Sequence, residues 1–442
     1  MAANMPSMTG DASVWPFYLS LAVFVVTYVG VFLQRLNSTI VAMAGAVAMI
    51  CLGAWASFYD MGQAVASIDV DTLCLLFGMM IVVALFGQTG FFQYIAIRAA
   101  KLALGKPWLL LIYLGVVTCL VSMVLDNVTT ILILAPVTIS LADVLGITPA
   151  PFLLSEAILS NIGGVATLIG DPPNILIGSA AGFSFMDFIT HLLPIVVIVS
   201  TCTLGLLLLL FRRDLRRSTA HIESLLKMDA RRAIVEPRDM RRMLAVLGVT
   251  VLLFFIHEPL RLHPGIVALV GASAGLLWIR PDFDTILRGV HWDVLLFFLS
   301  LFVIVGGIEA GGVTGVLGTE IAALAGRGMA LAIVAVLWGA ALASGVLSNV
   351  PLTIAMIPIL KGAALEGIAV APLWWALALG AGFGANLTPM ASAASMVVIS
   401  LSKPSGVPLT FRHWLRSGTP ATLVSALIGT GALLLAYHFG LL

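Results

Sequence analysis

Long apolar runs follow one another along almost the whole chain, from residue 17 to residue 438. The runs at 17–33, 39–57, 187–211 and 418–438 have the roughly 17–25 residues with which a helix crosses a bilayer. Hydrophobic residues make up 61% of the sequence and charged residues 10%, against about 45–50% and 25% in soluble domains. The sequence therefore predicts an all-α polytopic membrane protein surrounded by lipid, and it excludes a water-soluble enzyme.

Shorter apolar runs pair around polar breaks in both halves of the chain, a pattern typical of broken helices and re-entrant hairpins. We predict about ten to eleven transmembrane helices, some of them broken, plus two re-entrant hairpins at 108–145 and 329–365. The balance of 22 Lys+Arg against 21 Asp+Glu leaves no basic excess for nucleic acid. The four cysteines lack a metal-ligand spacing and no P-loop is present, so neither a metal nor a cofactor is predicted.

One long polar segment, residues 212–242, divides the chain nearly in half and carries ten of its 22 lysines and arginines. Because Lys and Arg collect in cytoplasmic loops, we interpret this segment as a cytoplasmic linker; the alternative is a docking site for a soluble partner such as an ATPase. With both termini outside, every Lys and Arg except Arg261, Arg327 and Lys361 falls in an inside loop. We therefore predict a multi-pass protein of the cell inner membrane with that orientation.

The two halves of the chain resemble each other. At an offset of 222 residues no gap is needed from 71 to 137, and a second match follows at an offset of 221. Polar, glycine and proline positions match as well as apolar ones, which disfavours chance similarity between apolar helices. The matched pairs include Asn127 and Asn349, Pro136 and Pro358, and Gly163 and Gly384. We predict two inverted-topology repeats, 17–211 and 243–438, an arrangement typical of secondary transporters.

Two polar segments of the first half fall at predicted membrane depth. Leu125–Thr130 joins the arms of the first hairpin, and Asn161–Asn174 contains three glycines and two prolines, which cannot sit in an uninterrupted helix. The second half has corresponding segments at 347–353 and 382–395. Non-helical backbone is tolerated in a membrane only where it is buried in protein or lines a cavity. These segments therefore predict broken helices and hairpin tips around a solute site.

Buried acids are predicted in the first half only: Asp126, Asp171 and Glu156. Ser348 and Ser392 align with the two aspartates in the second half. Acids inside a membrane are typical of ion and proton pathways. Each also has a structural interpretation, namely a helix cap for Asp126, a turn residue for Asp171 and a solvated membrane edge for Glu156. Because no Lys, Arg or His is predicted in the membrane core, the site suits a proton, a small cation or a neutral hydrogen-bonding solute.

These residues resemble the ArsB/NhaD group of the ion transporter superfamily, which includes bacterial arsenite efflux permeases, NhaD sodium/proton antiporters and the melanosomal P protein. The resemblance runs from residue 20 to 438 and is most specific at Gly87–Phe92, Leu125–Thr130 and Asn161–Asn174. The last two segments are especially similar to the P protein. The neutral second hairpin, with Asn349 two residues before Pro351, is more similar to the arsenite permeases.

The resemblance implies one central site, to which each half contributes a hairpin tip and a broken helix. The three acids named above are the candidates for proton coupling. The implied solute-binding residues are Asn127, Thr129, Thr130, Asn161, Thr167, Asn174, Ser348, Asn349, Thr353, Asn386, Thr388, Ser392 and Ser395.

The sequence thus predicts a transporter rather than an enzyme. The first hypothesis is proton-coupled antiport of arsenite or antimonite by alternating access, conferring arsenical resistance, because arsenous acid is a small neutral triol that amides and hydroxyls can bind. The alternatives are a sodium/proton antiporter of the NhaD type, an organic-anion or amino-acid carrier, and a channel with the same fold. The predicted partners are a small neutral or cationic inorganic solute, protons and membrane lipid, with a homodimer left open and no nucleic acid.

Overall fold

The computed structural model describes residues 15–33, 35–216, 229–403 and 408–442, and within these ranges the chain is all-helical, as predicted. The predicted outside position of the N-terminus and the middle of the linker concern residues 1–14 and 217–228, which lie outside the described residues. The first half contains α1 (Trp15–Leu33), α2 (Ser38–Trp55), α3 (Met61–Ala66), α4 (Val70–Gly87), α5 (Phe91–Leu102), α6 (Pro107–Ser122), α7 (Asn127–Leu145), α8 (Ala150–Gly164), α9 (Pro172–Ala181), α10 (Phe185–His191) and α11 (Leu193–Leu210).

Two short 3-10 helices, Asp214–Arg216 and Ala230–Ala233, lie in the linker region. The second half contains α12 (Pro237–Ile256), α13 (Pro264–Ile279), α14 (Phe283–Arg288), α15 (Trp292–Ala310), α16 (Val313–Arg327), α17 (Met329–Leu347), α18 (Asn349–Leu365), α19 (Ala371–Gly384), α20 (Ala393–Ser402) and α21 (Phe411–His438).

Eight helices of the described chain are long and apolar enough to cross a membrane: α1, α2, α4, α7, α11, α15, α17 and α21. Shorter apolar helices of 10–17 residues accompany them, namely α6, α13, α18, α19 and α20. Four of these, α6, α18, α19 and α20, fall where the sequence predicts hairpin arms and broken helices, whereas α13 does not. The multi-pass helical fold is therefore confirmed.

The two predicted breaks are present. Helix α8 ends at Gly164 and α9 begins at Pro172, whereas α19 ends at Gly384 and α20 begins at Ala393. Proline at the first helical position lacks only an N–H that would have no partner inside the helix, so Pro172 favours the restart of α9. In both halves the segment that separates the two parts of the broken helix is non-helical and mostly buried.

Contacts divide the chain into two compact units. One contains the residues up to Leu73, His291–Met329 and Ile354–Val370. Within this unit α2 packs against α1 and α15, and the Tyr59 hydroxyl donates to the carbonyl oxygen of Val303 at 2.9 Å. The unit contains segments of both halves, so it does not coincide with either repeat. The repeat boundaries at 17–211 and 243–438 remain a prediction.

The other unit contains Cys74–Val290, Ala330–Thr353 and Ala371–Leu442, and α8 lies at its centre. Helix α8 is buried from Pro151 to Gly164 and packs against α6, α7, α11, α19, α20 and α21. A Cβ atom built on Gly163 would lie 2.4 Å from the Cys119 carbonyl oxygen, so α6 and α8 touch backbone to backbone. Only glycine permits this approach.

Local geometry in this unit repeats between the halves. The Ser122 hydroxyl donates to the Ser160 carbonyl at 2.7 Å, and the equivalent Ser344 hydroxyl donates to the Ala381 carbonyl at the same distance. The close approach at Gly163 recurs at Gly384, where a Cβ would lie 2.2 Å from the Ala341 carbonyl oxygen. The backbone before each second helix also matches, with φ −143° and ψ 134° at Asp171 and φ −137° and ψ 139° at Ser392. These matches support the internal repeat read from the sequence.

Candidate functional site

Asp171 accepts hydrogen bonds from side-chain amides in both halves of the chain. It stands immediately before α9 but makes no side-chain cap on that helix, and it is 1% exposed. Its Oδ1 accepts hydrogen bonds from the Nδ2 groups of Asn127 and Asn349, each at 3.3 Å, and its Oδ2 accepts from Asn349 at 3.1 Å. Asn127 and Asn349 are the first residues of α7 and α18. One carboxyl group thus joins both hairpin tips to the first break.

Asn161 links the same cluster to the second break. Its Oδ1 accepts from Asn127 Nδ2 and from the Ser392 hydroxyl, each at 3.0 Å, and its Nδ2 donates to Asn386 Oδ1 at 2.8 Å. Asn386 in turn donates to the Ile158 carbonyl at 3.3 Å. Asn161 and Asn386 are fully buried. Because buried polar groups without partners are costly, this chain of amides fixes the relative positions of the two breaks.

Asn174 and Thr167 shape the first break from within. The Asn174 Nδ2 group donates to the carbonyls of Gly164, Val165 and Thr167 at 3.2, 3.0 and 2.8 Å. These carbonyls lie at the end of α8, where the helix no longer supplies N–H partners. The Thr167 hydroxyl donates to the Met123 carbonyl at 2.5 Å, and Thr388 makes the matching bond to Gly345 at 2.6 Å. These contacts hold the broken backbone in place.

The two hairpin tips are built differently. Asp126 is the N-cap of α7 and accepts from the Thr129 backbone N–H at 2.9 Å and the Thr129 hydroxyl at 2.5 Å. The structural interpretation of Asp126 as a cap is therefore confirmed. At the equivalent position Ser348 adopts φ +72°, a left-handed conformation that is uncommon for serine. The Asn349 N–H then donates to the Ala391 carbonyl at 3.3 Å, which ties the second tip to the second break.

Three predicted hydroxyls, within the described residues, form no hydrogen bond with the side chains of the cluster. Thr353 donates to the carbonyl of Asn349, one turn earlier in α18, at 2.8 Å. The hydroxyls of Thr130 and Ser395 are fully buried, and neither has a hydrogen-bond partner within the described chain.

Glu156 lies away from the cluster. Its side chain is 0% exposed, and its Oε1 accepts from the Thr138 hydroxyl at 2.5 Å. The interpretation of Glu156 as a solvated side chain at a membrane edge is therefore wrong. The reason is that α8 is surrounded by other helices along its length, so position 156 faces protein on every side.

One contact to the cluster is missed by sequence reasoning. The indole N–H of Trp414 donates to the Asn386 carbonyl at 2.9 Å, and Trp414 is 0% exposed. It belongs to the first turn of α21, beside the exposed Arg412 and Arg416. A tryptophan in a charged turn predicts a membrane-interface residue, and no spacing signal places it against the second break.

The chemistry of the cluster follows from its members. The side-chain partners of Asp171 and Asn161 are amides and a hydroxyl, with no Lys, Arg or His among them. Across the described residues, no group of three or more His, Cys, Asp or Glu side chains could hold a metal ion. The cluster can therefore offer one carboxyl group together with neutral donors and acceptors.

Comparison with known proteins places this architecture in a family. The profile of the CitMHS family, described as citrate transporter, matches residues 28–380. The chain belongs to the CitMHS family. It is 38% identical over 418 residues to a 46 kDa membrane protein of Mycobacterium leprae, covering 92% of this chain and 96% of that protein. It is also 38% identical to an uncharacterized transporter of Mycobacterium tuberculosis, covering 95% of this chain and 98% of that one.

Two further similarities extend the comparison. The human P protein is 31% identical over 506 residues, and the match covers 95% of this chain and 60% of the P protein. The expected resemblance to the P protein is therefore confirmed for the chain as a whole. The crystal structure of the YdaH transporter of Alcanivorax borkumensis, described as having an unusual topology, superposes with a TM-score of 0.59 at 15% identity over 98% of this chain and 99% of that one. That likeness shows a shared fold. The CitMHS chain is thus a membrane transporter, not an enzyme.

Proposed function

We propose that this CitMHS-family transporter belongs to the ArsB/NhaD type and exports arsenite or antimonite in exchange for protons. The observation that carries the proposal is the composition of the buried cluster. Asn127, Asn161, Asn349 and Ser392 are neutral donors and acceptors arranged around the single acid Asp171. Arsenous acid is an uncharged triol, whose three O–H groups can replace such amide and hydroxyl contacts. It requires no cationic partner.

The family's description raises citrate as a solute. Citrate carries several negative charges at neutral pH, and charged carboxylates are bound best by Arg or Lys. In this cluster they would meet the Asp171 carboxyl and no cationic side chain among its hydrogen-bond partners. Citrate without an accompanying cation is therefore the less suitable solute for this site.

A sodium/proton antiporter is the second candidate. The observation that favours it is the proximity of two acids at the first hairpin tip and the first break. Asn127, which directly follows Asp126 in the chain, donates a hydrogen bond to Asp171. Carboxylate, amide and hydroxyl oxygens are the ligands that small hard cations prefer. Sodium and protons would then occupy these acids alternately.

Coupling requires an acid that takes up a proton on one side and releases it on the other. The candidates are Asp126, Asp171 and Glu156, the acids at the first hairpin tip, at the first break and inside α8. As the two repeats change conformation, the site would open alternately to each side of the membrane.

Transport into everted membrane vesicles tests these assignments. We expect vesicles containing the protein to accumulate labelled arsenite when a proton gradient is imposed, without a requirement for sodium. Vesicles from cells lacking the protein are the control. Sodium-dependent proton movement without arsenite uptake would favour the antiporter. Uptake of citrate would favour the organic-anion carrier. Arsenite uptake that stops when the concentrations inside and outside the vesicles are equal would indicate a channel.

The proposed orientation in the inner membrane has a separate test. Arg232 is exposed in the linker, and Arg327 is exposed at the end of α16 on the predicted outside. In a chain whose four cysteines are replaced, we expect Arg232→Cys to react with an impermeant maleimide only after the cells are opened. The matched Arg327→Cys should react in intact cells. Labelling of the linker position from outside would overturn the orientation.

A further inference from the structure

Glu156 and Asp171 are both buried, but their surroundings differ. Glu156 lies five residues before Asn161 on α8, about 7–8 Å along the helix axis from the cluster. Its Oε1 accepts from Thr138, and its Oε2 has no hydrogen-bond partner in the described part of the chain. Asp171, in contrast, has amide donors for both oxygens.

The oxygen without a hydrogen-bond partner favours the neutral, protonated form of Glu156 inside the protein. An ionised carboxylate with one bare oxygen in an apolar interior is far more costly than the neutral acid. Apolar side chains such as Leu153, Ala157 and Val398 pack together where α7, α8 and α20 meet. A bound proton removes the charge at this position and keeps the hydrogen bond from Thr138.

Ionisable groups on the helices packed against α8 do not supply an opposite charge. Apart from Cys119, which is buried, and Tyr113, which is partly buried, these groups are exposed. The groups in question are Tyr113 and Cys119 of α6, Asp143 of α7, Cys202 of α11, and Arg412, His413, Arg416, Tyr437 and His438 of α21.

Two hydroxyls lie between Glu156 and the cluster in the helix register. Thr130 is one turn after Asn127 on α7, and Ser395 is one turn after Ser392 on α20. Both are fully buried, and within the described residues neither hydroxyl oxygen has a hydrogen-bond partner. The helices α7, α8 and α20 pack against one another. Unpartnered hydroxyls can donate or accept, so they can pass a proton or hold a water between the two acids.

We propose that Glu156, held by Thr138, is the proton-binding site of this transporter and is separate from the solute-binding cluster at Asp171. The Glu156 carboxylate takes a proton from a hydronium ion in water that enters from one side, so an O–H bond of the hydronium breaks as the O–H bond of the neutral acid forms. On the other side this O–H bond breaks and the proton returns to a water molecule, which becomes hydronium. Thr130 and Ser395 line the route. The use of this proton in transport rests on the proposed function, whereas its binding to Glu156 does not.

Infrared spectroscopy of the purified protein tests the binding without any solute. We expect the wild type to show the carbonyl stretch of a neutral carboxylic acid that disappears on titration to high pH. Glu156→Gln should lack this band, and Asp171→Asn should keep it. Thr138→Val should keep the band but shift it to higher frequency, because the carbonyl loses its donor. A band that persists in Glu156→Gln, or is absent from the wild type at every pH, would overturn the proposal.

Transport measurements then test the use of the proton. Glutamine keeps the acceptor for Thr138 and the side-chain volume, so the variant should remain monodisperse in detergent. We expect Glu156→Gln vesicles to lose proton-driven accumulation while solute exchange without a gradient continues and becomes independent of pH. Uphill transport by Glu156→Gln at the wild-type rate would overturn the proposal. If the wild type moves none of the tested solutes, the proposed function fails, and the infrared result still decides the proton site.

Discussion

Converting Asp171 to Asn should strongly weaken solute binding and transport. The carboxyl accepts from Asn127 and twice from Asn349, whereas an amide has one oxygen and would turn its NH₂ group toward another donor. A hydrogen bond to a charged group contributes about 1.5–3 kcal/mol, and about 1.4 kcal/mol corresponds to a tenfold change in affinity. We expect at least about a tenfold loss, measured as exchange of labelled solute without a gradient.

The matched control is Asp143→Asn, the same change at an exposed position on α7. That variant should exchange solute as the wild type does. If Asp171→Asn also exchanged every tested solute at the wild-type rate, the amide cluster would be a structural brace and the solute site would lie elsewhere.

Asn161→Ala should cause the largest loss of stability among the cluster residues. It removes the partner of the Ser392 hydroxyl and of Asn386 Oδ1, and it breaks the link to Asn127. Each buried polar group left unsatisfied costs about 1–3 kcal/mol, so the total is on the order of 3 kcal/mol or more. We expect a clear fall in the thermal unfolding midpoint in detergent, together with loss of transport.

Ser160→Ala serves as the comparison on the same helix. The Ser160 hydroxyl is also fully buried, but it bonds only within its own turn, to the Ala157 carbonyl at 3.0 Å. Its removal should change the unfolding midpoint little. Equal midpoints for the two variants would mean that Asn161 contributes no more than a local hydrogen bond.

The broken helices could be predicted because their causes are local. Gly163, Gly164 and Pro172 restrict or release the backbone wherever they stand, and the structure breaks α8 from α9 at these residues. The repeat also predicted the second break, since Gly163 aligns with Gly384 and Thr167 with Thr388. Neither prediction depends on the tertiary contacts of the helices.

Hydrogen-bond partners could not be predicted in the same way, because tertiary packing chooses them. The sequence placed Asn174 at the break but gave no sign that its amide serves three backbone carbonyls. It left Glu156 undecided between a membrane edge and the interior, which depends on how many helices surround α8. Trp414 was missed because it lies 28 residues after Asn386, the residue that it contacts, and no spacing pattern links the two.

The single acid shared by two tips also bears on how such a protein could arise by gene duplication. A duplicated ancestral half with an aspartate at this position would carry one at both position 171 and position 392. The Ser392 hydroxyl donates to Asn161 Oδ1, and an aspartate there would set a carboxylate oxygen against that acceptor. Since Asp171 already accepts hydrogen bonds from Asn127 and Asn349, the duplicate acid could be lost without leaving either amide without an acceptor. Once Ser392 had taken its place, the halves could no longer be exchanged for one another, and each would have diverged under its own selection.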